Sequence, residues 1–340
     1  MSTIDAFVAR LPKVELHVHL VGSASAETVL ELARRHPGSP VPRSPEELRE
    51  FYTFSDFPHF ARVYQTVSDL ITEPEDIASL VRGVARDLAA QNVRYAEIQV
   101  SPWYFTHLTG IARAAVTEAL SLATRDALAS HGVRIGWIFE FPGQFADQAA
   151  LTTLDHAVSV PPEGLVGFGI GGIEQARAPH VDVIRNAFRG AVAAGLHSIP
   201  HAGEMTGPET VWEALNALGA ERIGHGINSL LDPVLVAYLR ERQVPVDVSP
   251  TSNVCTRQVS SLREHPLPRM LAEGLFVTLN SDDPPMFGTT LSNEYLVAAS
   301  VLGLSREQLA GLAANAVRAS FLDAEAKQPL LAEIARVAAA

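Results

Sequence analysis

Eight short apolar segments alternate with amphipathic helical stretches along 340 residues, and the unusual polar side chains fall repeatedly at the ends of those segments. The alternation of eight strands with helices predicts the α/β class and a (β/α)8 TIM barrel, and the polar strand ends lie where such a barrel carries its working groups. Length agrees, because such barrels run to this size once insertions are included. No stretch rich in Gly, Pro or Ser divides the chain, so residues 1–340 are expected to form a single domain.

The first strand is the most informative. In KVELHVHLVG, residues 13–22, Val14, Leu16, Val18 and Leu20 alternate with Glu15, His17 and His19. A period of two sends successive side chains to opposite faces, so the two histidines share one. Imidazoles at i and i+2 on a strand can reach one ion, and a neutral ring nitrogen suits Zn²⁺. A polar strand face without metal shows the same pattern, so the pair needs further ligands from elsewhere in the chain.

After this strand, Ser23 or Ser25 can cap a helix running through Glu27 and Leu32 to Arg35, stopped by Pro37 and Gly38. Prolines at 40, 42 and 45 break the chain. The segment FYTFSDFPHF, 51–60, then gathers phenylalanine at 51, 54, 57 and 60. Helices over about 57–70 and 75–91 follow from apolar residues at three- and four-residue spacing. A regular alternation succeeds them: strand 95–102, helix 112–130, strand 134–141, helix 146–158, strand 165–172, helix 180–194 and a strand within GLHSIPHAGE. Helix 209–218 leads to ERIGHGIN, helix 232–243 to PVDVSPTSN, and a shorter helix ending near 273 to LFVTLNSDDP. These strands are rich in Val, Ile, Leu and Phe, as strands covered on both faces should be. Residues 291–340 read as helices, with Ser305 and Gln308 in capping-box spacing. Additional helices are therefore expected after the first strand and at the C-terminus.

Composition excludes several classes of partner. With 26 basic against 38 acidic residues, a net charge of −12 and no Lys/Arg cluster, nothing can track a phosphate backbone, and nucleic acid is not expected as a partner. No run of some 18 apolar residues and no apolar N-terminal core occurs, so neither a membrane span nor a signal peptide is expected. Cys255 is the single cysteine, which fits a cytoplasmic home and leaves it a structural role. Oligomeric state is not legible.

In a barrel the working groups sit at the carboxyl ends of the strands. Here His17 and His19 end strand one, Gly171 and Gly172 strand four, His201 and Glu204 strand five, His225 strand six, and Asp282 and Asp283 strand eight. Any one of these alone is ordinarily a satisfied structural residue or a cap. Their concurrence at ends that a barrel brings together points to a metal site.

ELHVHL, HAGE, RIGHG, SPTSN and NSDDPPMFGTTLSNEY resemble, in order and spacing, the signatures of the adenosine deaminase family of metal-dependent amidohydrolases, over about residues 11–295. The resemblance implies hydrolytic deamination of a small-molecule purine nucleoside. It implies that His17, His19, His201 and Asp282 bind one Zn²⁺ per chain together with a water. Glu204 is then the proton donor to the purine ring, His225 orients or deprotonates the water, and Asp283 with the backbone of Gly172 holds the purine. The chemistry is coherent: Zn²⁺ brings a water's pKa near neutrality, and a carboxyl buried beside a hydrophobic ring keeps its proton. Two-metal relatives use a bridging lysine on strand four, whereas the two lysines here, Lys13 and Lys327, lie elsewhere.

One departure narrows the substrate. Family members acting on adenosine carry an acidic residue immediately after the HxHL segment, against the 5′-hydroxyl, and this chain has Val21. A buried hydroxyl without a partner there costs about 1–3 kcal/mol. The pattern is similar to the family branch that deaminates 6-aminodeoxyfutalosine to futalosine in menaquinone biosynthesis, a nucleoside extended at that carbon by a carboxybenzoyl chain. Phe54 and Phe57, with Tyr52 and Phe60, are candidates to cover its aryl group, and Arg177 to pair its carboxylate. The competing possibilities are an aromatic core and a solvated arginine. Gly169 and Ile173 replace further polar residues of adenosine-specific relatives, and Thr251, Ser252 and Asn253 have at most a supporting role. Deamination of adenosine or another 5′-modified adenosine is the alternative. A barrel that binds metal without catalysis is another, and its mark is a missing ligand, proton donor or water-orienting histidine.

Overall fold

The computed structural model describes residues 3–340. Eight strands form in chain order: β1 (Lys13–His19), β2 (Val93–Val100), β3 (Arg134–Pro142), β4 (Leu165–Gly171), β5 (His197–Ala202), β6 (Ile223–His225), β7 (Val246–Val248) and β8 (Val277–Leu279). Each pairs in parallel with the next, in the order β1 to β8. The seam between β8 and β1 is closed by Asp282, just beyond β8. Its N–H donates to the His17 carbonyl and its carbonyl accepts from the His19 N–H, both at 3.0 Å. The expected TIM barrel is the observed fold.

The alternation read in β1 has its physical counterpart. All seven residues of the strand are buried. Glu15 reaches the neighbouring Ser281 beyond β8, accepting from its N–H at 3.1 Å and its hydroxyl at 2.8 Å, while Leu16 and Val18 join the apolar layer under the surrounding helices. The lower barrel is filled by a satisfied polar network. Arg222 donates to Glu97 at 2.5 Å and Asp247 at 2.6 Å, and Thr278 donates to Asp247 at 2.6 Å. Nearer the mouth, Gly171 on β4 leaves the space that Glu140 occupies, since a Cβ there would stand 2.9 Å from a Glu140 carboxylate oxygen.

Helices form where capping and periodicity place them. Ser25 caps the Ala26–Arg35 helix by accepting from the Thr28 N–H, and Gly132, in the left-handed region at φ +69°, ends the Arg113–His131 helix. The C-terminal segment folds as helices Leu291–Ser300, Arg306–Ala319 and Ala324–Ala339, with the Ser305 capping box formed. One expectation needs correction, and one helix was not foreseen. The proline-rich stretch does not simply break the chain: Pro45 opens a helix, Pro45–Phe51, capped by Ser44, because proline at the first helical position sacrifices no hydrogen bond. A further helix, Thr3–Arg10, precedes β1, burying Phe7 and Val8. Among the described residues no helix is long and apolar enough to cross a membrane.

Candidate active site

The C-terminal mouth of the barrel gathers the imidazoles. Ring centroids of His17 and His201 lie 4.6 Å apart, those of His19 and His201 5.3 Å, and those of His17 and His225 4.6 Å. Asp282 Oδ1 stands 3.4 Å from His17 Nε2 and 3.2 Å from His19 Nε2. Ligand atoms of a tetrahedral Zn²⁺ with bonds of 2.0–2.1 Å are separated by about 3.3–3.4 Å, so these spacings fit the edges of one coordination shell. His17 Nε2 is buried with no hydrogen-bond partner, an arrangement that is costly unless an electrophile shares its lone pair. The residues present therefore suit a metal ion.

Protonation states point the same way. Burial pushes His201 well below its ordinary value, and the neighbouring imidazoles of His17 and His225 add to this, which keeps the ring neutral with one nitrogen lone pair free. Burial works to raise Asp282, but the adjoining imidazoles of His17 and His19 outweigh it and hold the carboxyl well below the usual range. Metal ligation needs both groups in these deprotonated forms. Outer partners orient the shell: His19 Nδ1 meets Glu140 Oε1 at 3.0 Å, and Ser252 donates to Asp282 Oδ2 at 2.6 Å.

Glu204 follows β5 on a turn held from both sides. Glu174 Oε2 accepts from the N–H groups of Glu204, Met205 and Thr206 at 3.1, 2.6 and 2.9 Å. Asn228 donates to the carbonyls of Glu204 and Thr206 at 3.1 and 2.8 Å. Burial raises Glu204 well above the usual carboxyl range, and the negative Asp282 and Glu174 reinforce it. Burial likewise raises Asp283, helped by Asp282. His225 Nε2 lies 3.6 Å from Glu204 Oε2, and burial pushes His225 down to about 3. Both His225 (φ +62°) and Asp282 (φ +65°) hold left-handed backbone conformations that non-glycine residues rarely adopt, a kind of strain that gathers at functional sites.

A cavity opens over these groups. Its polar wall is built from His19, Glu140, His201, Glu204, His225, Asp282 and Asp283, with Gly171 and Gly172, and its other wall from Phe57, Phe60, Ala61, Tyr64, Tyr104 and Pro142. Of the residues singled out in the sequence, His17, His19, His201, Asp282, Glu204, His225, Asp283, Gly172 and Phe57 come together here. Three do not reach the cavity surface. Val21 is buried in the apolar core, and Phe54 stands a layer back, packed edge to face on Phe60 and Phe287. Arg177 turns inward, donating to the carbonyls of His201 at 2.7 Å and Gly171 at 3.1 Å, because a buried guanidinium must satisfy its N–H groups on whatever acceptors surround it. Its donors face backbone, which corrects its expected pairing with a substrate carboxylate.

Several contributors escaped the sequence reading. Glu140 carried the only usable signal, a carboxylate within the apolar strand RIGWIFEF. Glu174 carried none.

Imidazoles and carboxylates converging at the C-terminal mouth of a parallel barrel define a metal-dependent hydrolase. The profile of the adenosine deaminase family matches residues 12–337, and the chain belongs to that family, whose members are metal-dependent deaminases. It is 51% identical to an aminodeoxyfutalosine deaminase of Streptomyces avermitilis over 97% of this chain and 92% of that one. Its structure superposes on the adenine deaminase of Arthrobacter aurescens with a TM-score of 0.92 and 34% identity, covering 97% of this chain and 100% of the other. An amidohydrolase from Burkholderia ambifaria with bound Zn gives a TM-score of 0.91 at 27% identity, over 100% and 95% of the two chains.

Proposed function

We infer that this chain is a zinc-dependent aminohydrolase, active in the cytoplasm, that converts 6-aminodeoxyfutalosine and water to futalosine and ammonia in menaquinone biosynthesis. The observation that carries the reading is the 51% identity to the aminodeoxyfutalosine deaminase, against 34% to the adenine deaminase of similar fold. The site supports it: ligands, proton donor and water-orienting histidine are all present around one cavity. That completeness also argues against a barrel that binds metal without catalysis.

His17, His19, His201 and Asp282 hold one Zn²⁺, a choice supported by the donor set of three imidazole nitrogens and a carboxylate oxygen and by the Zn bound in the Burkholderia relative. When bound, the ion acidifies a water so that hydroxide is available near neutral pH. Asp283 and the backbone of Gly172 fix the purine with C6 toward the ligand side chains. Glu204 delivers its proton to the ring nitrogen as the C6–O bond forms, so that no charge builds up on the purine. His225 stands over the incoming oxygen and fixes its direction. The C6–N6 bond then breaks, the proton of the added hydroxyl leaves with the amino group as ammonia, and C6 keeps its oxygen as a carbonyl. The wall of Phe57, Phe60, Tyr64 and Tyr104 offers an apolar surface to an aryl group.

An absorbance assay on adenine, adenosine, 5′-methylthioadenosine and 6-aminodeoxyfutalosine tests the reading. The highest kcat/KM is expected for the last, and a preference for adenosine or adenine overturns the substrate assignment. Elemental analysis should find zinc at one ion per chain.

A further inference from the structure

Behind His225 runs a chain of buried hydrogen bonds. The Leu267 N–H donates to His265 Nδ1, His265 Nε2 faces Asn253 Oδ1, and Asn253 Nδ2 faces His225 Nδ1, each at 3.2 Å. Asn253 is fully buried and His265 nearly so. One end of this chain is chemically unambiguous and decides the rest. A backbone N–H can only donate, so His265 Nδ1 accepts, and the proton of its neutral ring sits on Nε2. Burial pushes His265 down to about 4, which keeps the ring neutral near pH 7. Its Nε2–H donates to the Asn253 carbonyl oxygen, leaving the amide nitrogen to donate to His225 Nδ1. The proton of neutral His225 is therefore on Nε2, the nitrogen that faces Glu204 and Asp282.

We propose that Asn253 and His265 are positioning residues that lock His225 as its Nε2–H tautomer, so that it directs the attacking oxygen by donating a hydrogen bond instead of accepting a proton. This rests on the place given to His225 in the deamination above and separates the two roles open to it. A ring already carrying its proton on Nε2 has no lone pair there for another. A donor fixed before substrate arrives selects which lone pair of the oxygen points at C6, and it needs no reorganisation during attack. The left-handed backbone of His225 and the relay behind it secure a single ring orientation.

Histidine ¹⁵N NMR of the Zn²⁺-loaded protein reads the tautomer without turnover. His225, assigned by comparison with His225→Gln, should show a protonated Nε2 and a bare Nδ1, and a protonated Nδ1 overturns the proposal. Asn253→Asp keeps the volume and the contacts but can only accept, which reverses the polarity. It should invert the tautomer and lower kcat by about a hundredfold or more, with bound zinc and melting temperature retained. Wild-type kcat with an inverted tautomer overturns the proposal. His265→Gln can accept from Leu267 and donate to Asn253, so it should keep kcat within about threefold, whereas His265→Glu cannot donate and should lose activity as Asn253→Asp does. Equal kcat in these two variants overturns the proposal as well. Wild-type inactivity toward 6-aminodeoxyfutalosine defeats the substrate reading alone, because the NMR arm stands independently of it.

Discussion

A carboxyl group that must give up a proton near neutral pH has first to hold one, and Glu204 is placed to do so. Burial, then the negative Asp282 and Glu174, raise its proton affinity well above that of an ordinary glutamate. The working form is the protonated one, so kcat/KM should stay level below this raised pKa and fall as pH rises through it. Glu174→Gln removes one neighbouring negative charge, and a pH–rate profile should show the alkaline limb moving to lower pH; an unmoved limb counts against Glu204 as the donor. Glu204→Gln itself should lower kcat by about 10²–10⁴-fold. At this scale the sequence was legible where a motif keeps partners close, as in His17 with His19 or His201 with Glu204. It was silent where partners meet only through the fold: Glu140 reaches His19 across 121 residues of chain, and Glu174 reaches Glu204 across 30. Arg177 illustrates the opposite error. An arginine in a loop looks solvated or ligand-seeking in sequence, and only the packing shows that backbone carbonyls surround it.

Elements were read more securely than their joints. Strands and helices followed from periodicity because burial on two faces or on one stripe leaves a direct imprint on residue order. The helix at Pro45–Phe51 was missed because proline both ends helices and begins them, and Ser44 decides which. What periodicity cannot show is how three strands are tied beneath the site. Arg222, just ahead of β6, binds Glu97 of β2 and Asp247 of β7, with all three side chains fully buried. Removing the cation leaves two carboxylates buried without their counterion. Arg222→Met should therefore destabilise the fold by about 3–5 kcal/mol in urea denaturation, and a change below about 1 kcal/mol would show the network to be dispensable.

Across the whole molecule, sequence foretold the barrel because eight strand ends had to converge somewhere, and the polar residues marked which mouth. The location of the closing joint was not foretold. Asp282 supplies the backbone bonds that fasten the end of the circle to its beginning, and its side chain faces His17 and His19 inside. The closing joint and the ligand shell thus share Asp282, His17 and His19, with the carboxyls of Asp283, Glu204 and Glu140 crowded close by. A cation there ought to act as a rivet. Chelation should lower the melting temperature and speed amide exchange selectively at Val18, His19 and Asp282, while the β3–β4 side of the wall exchanges as before. Acceleration spread evenly round the circle would mean that the rivet and the hoop are independent.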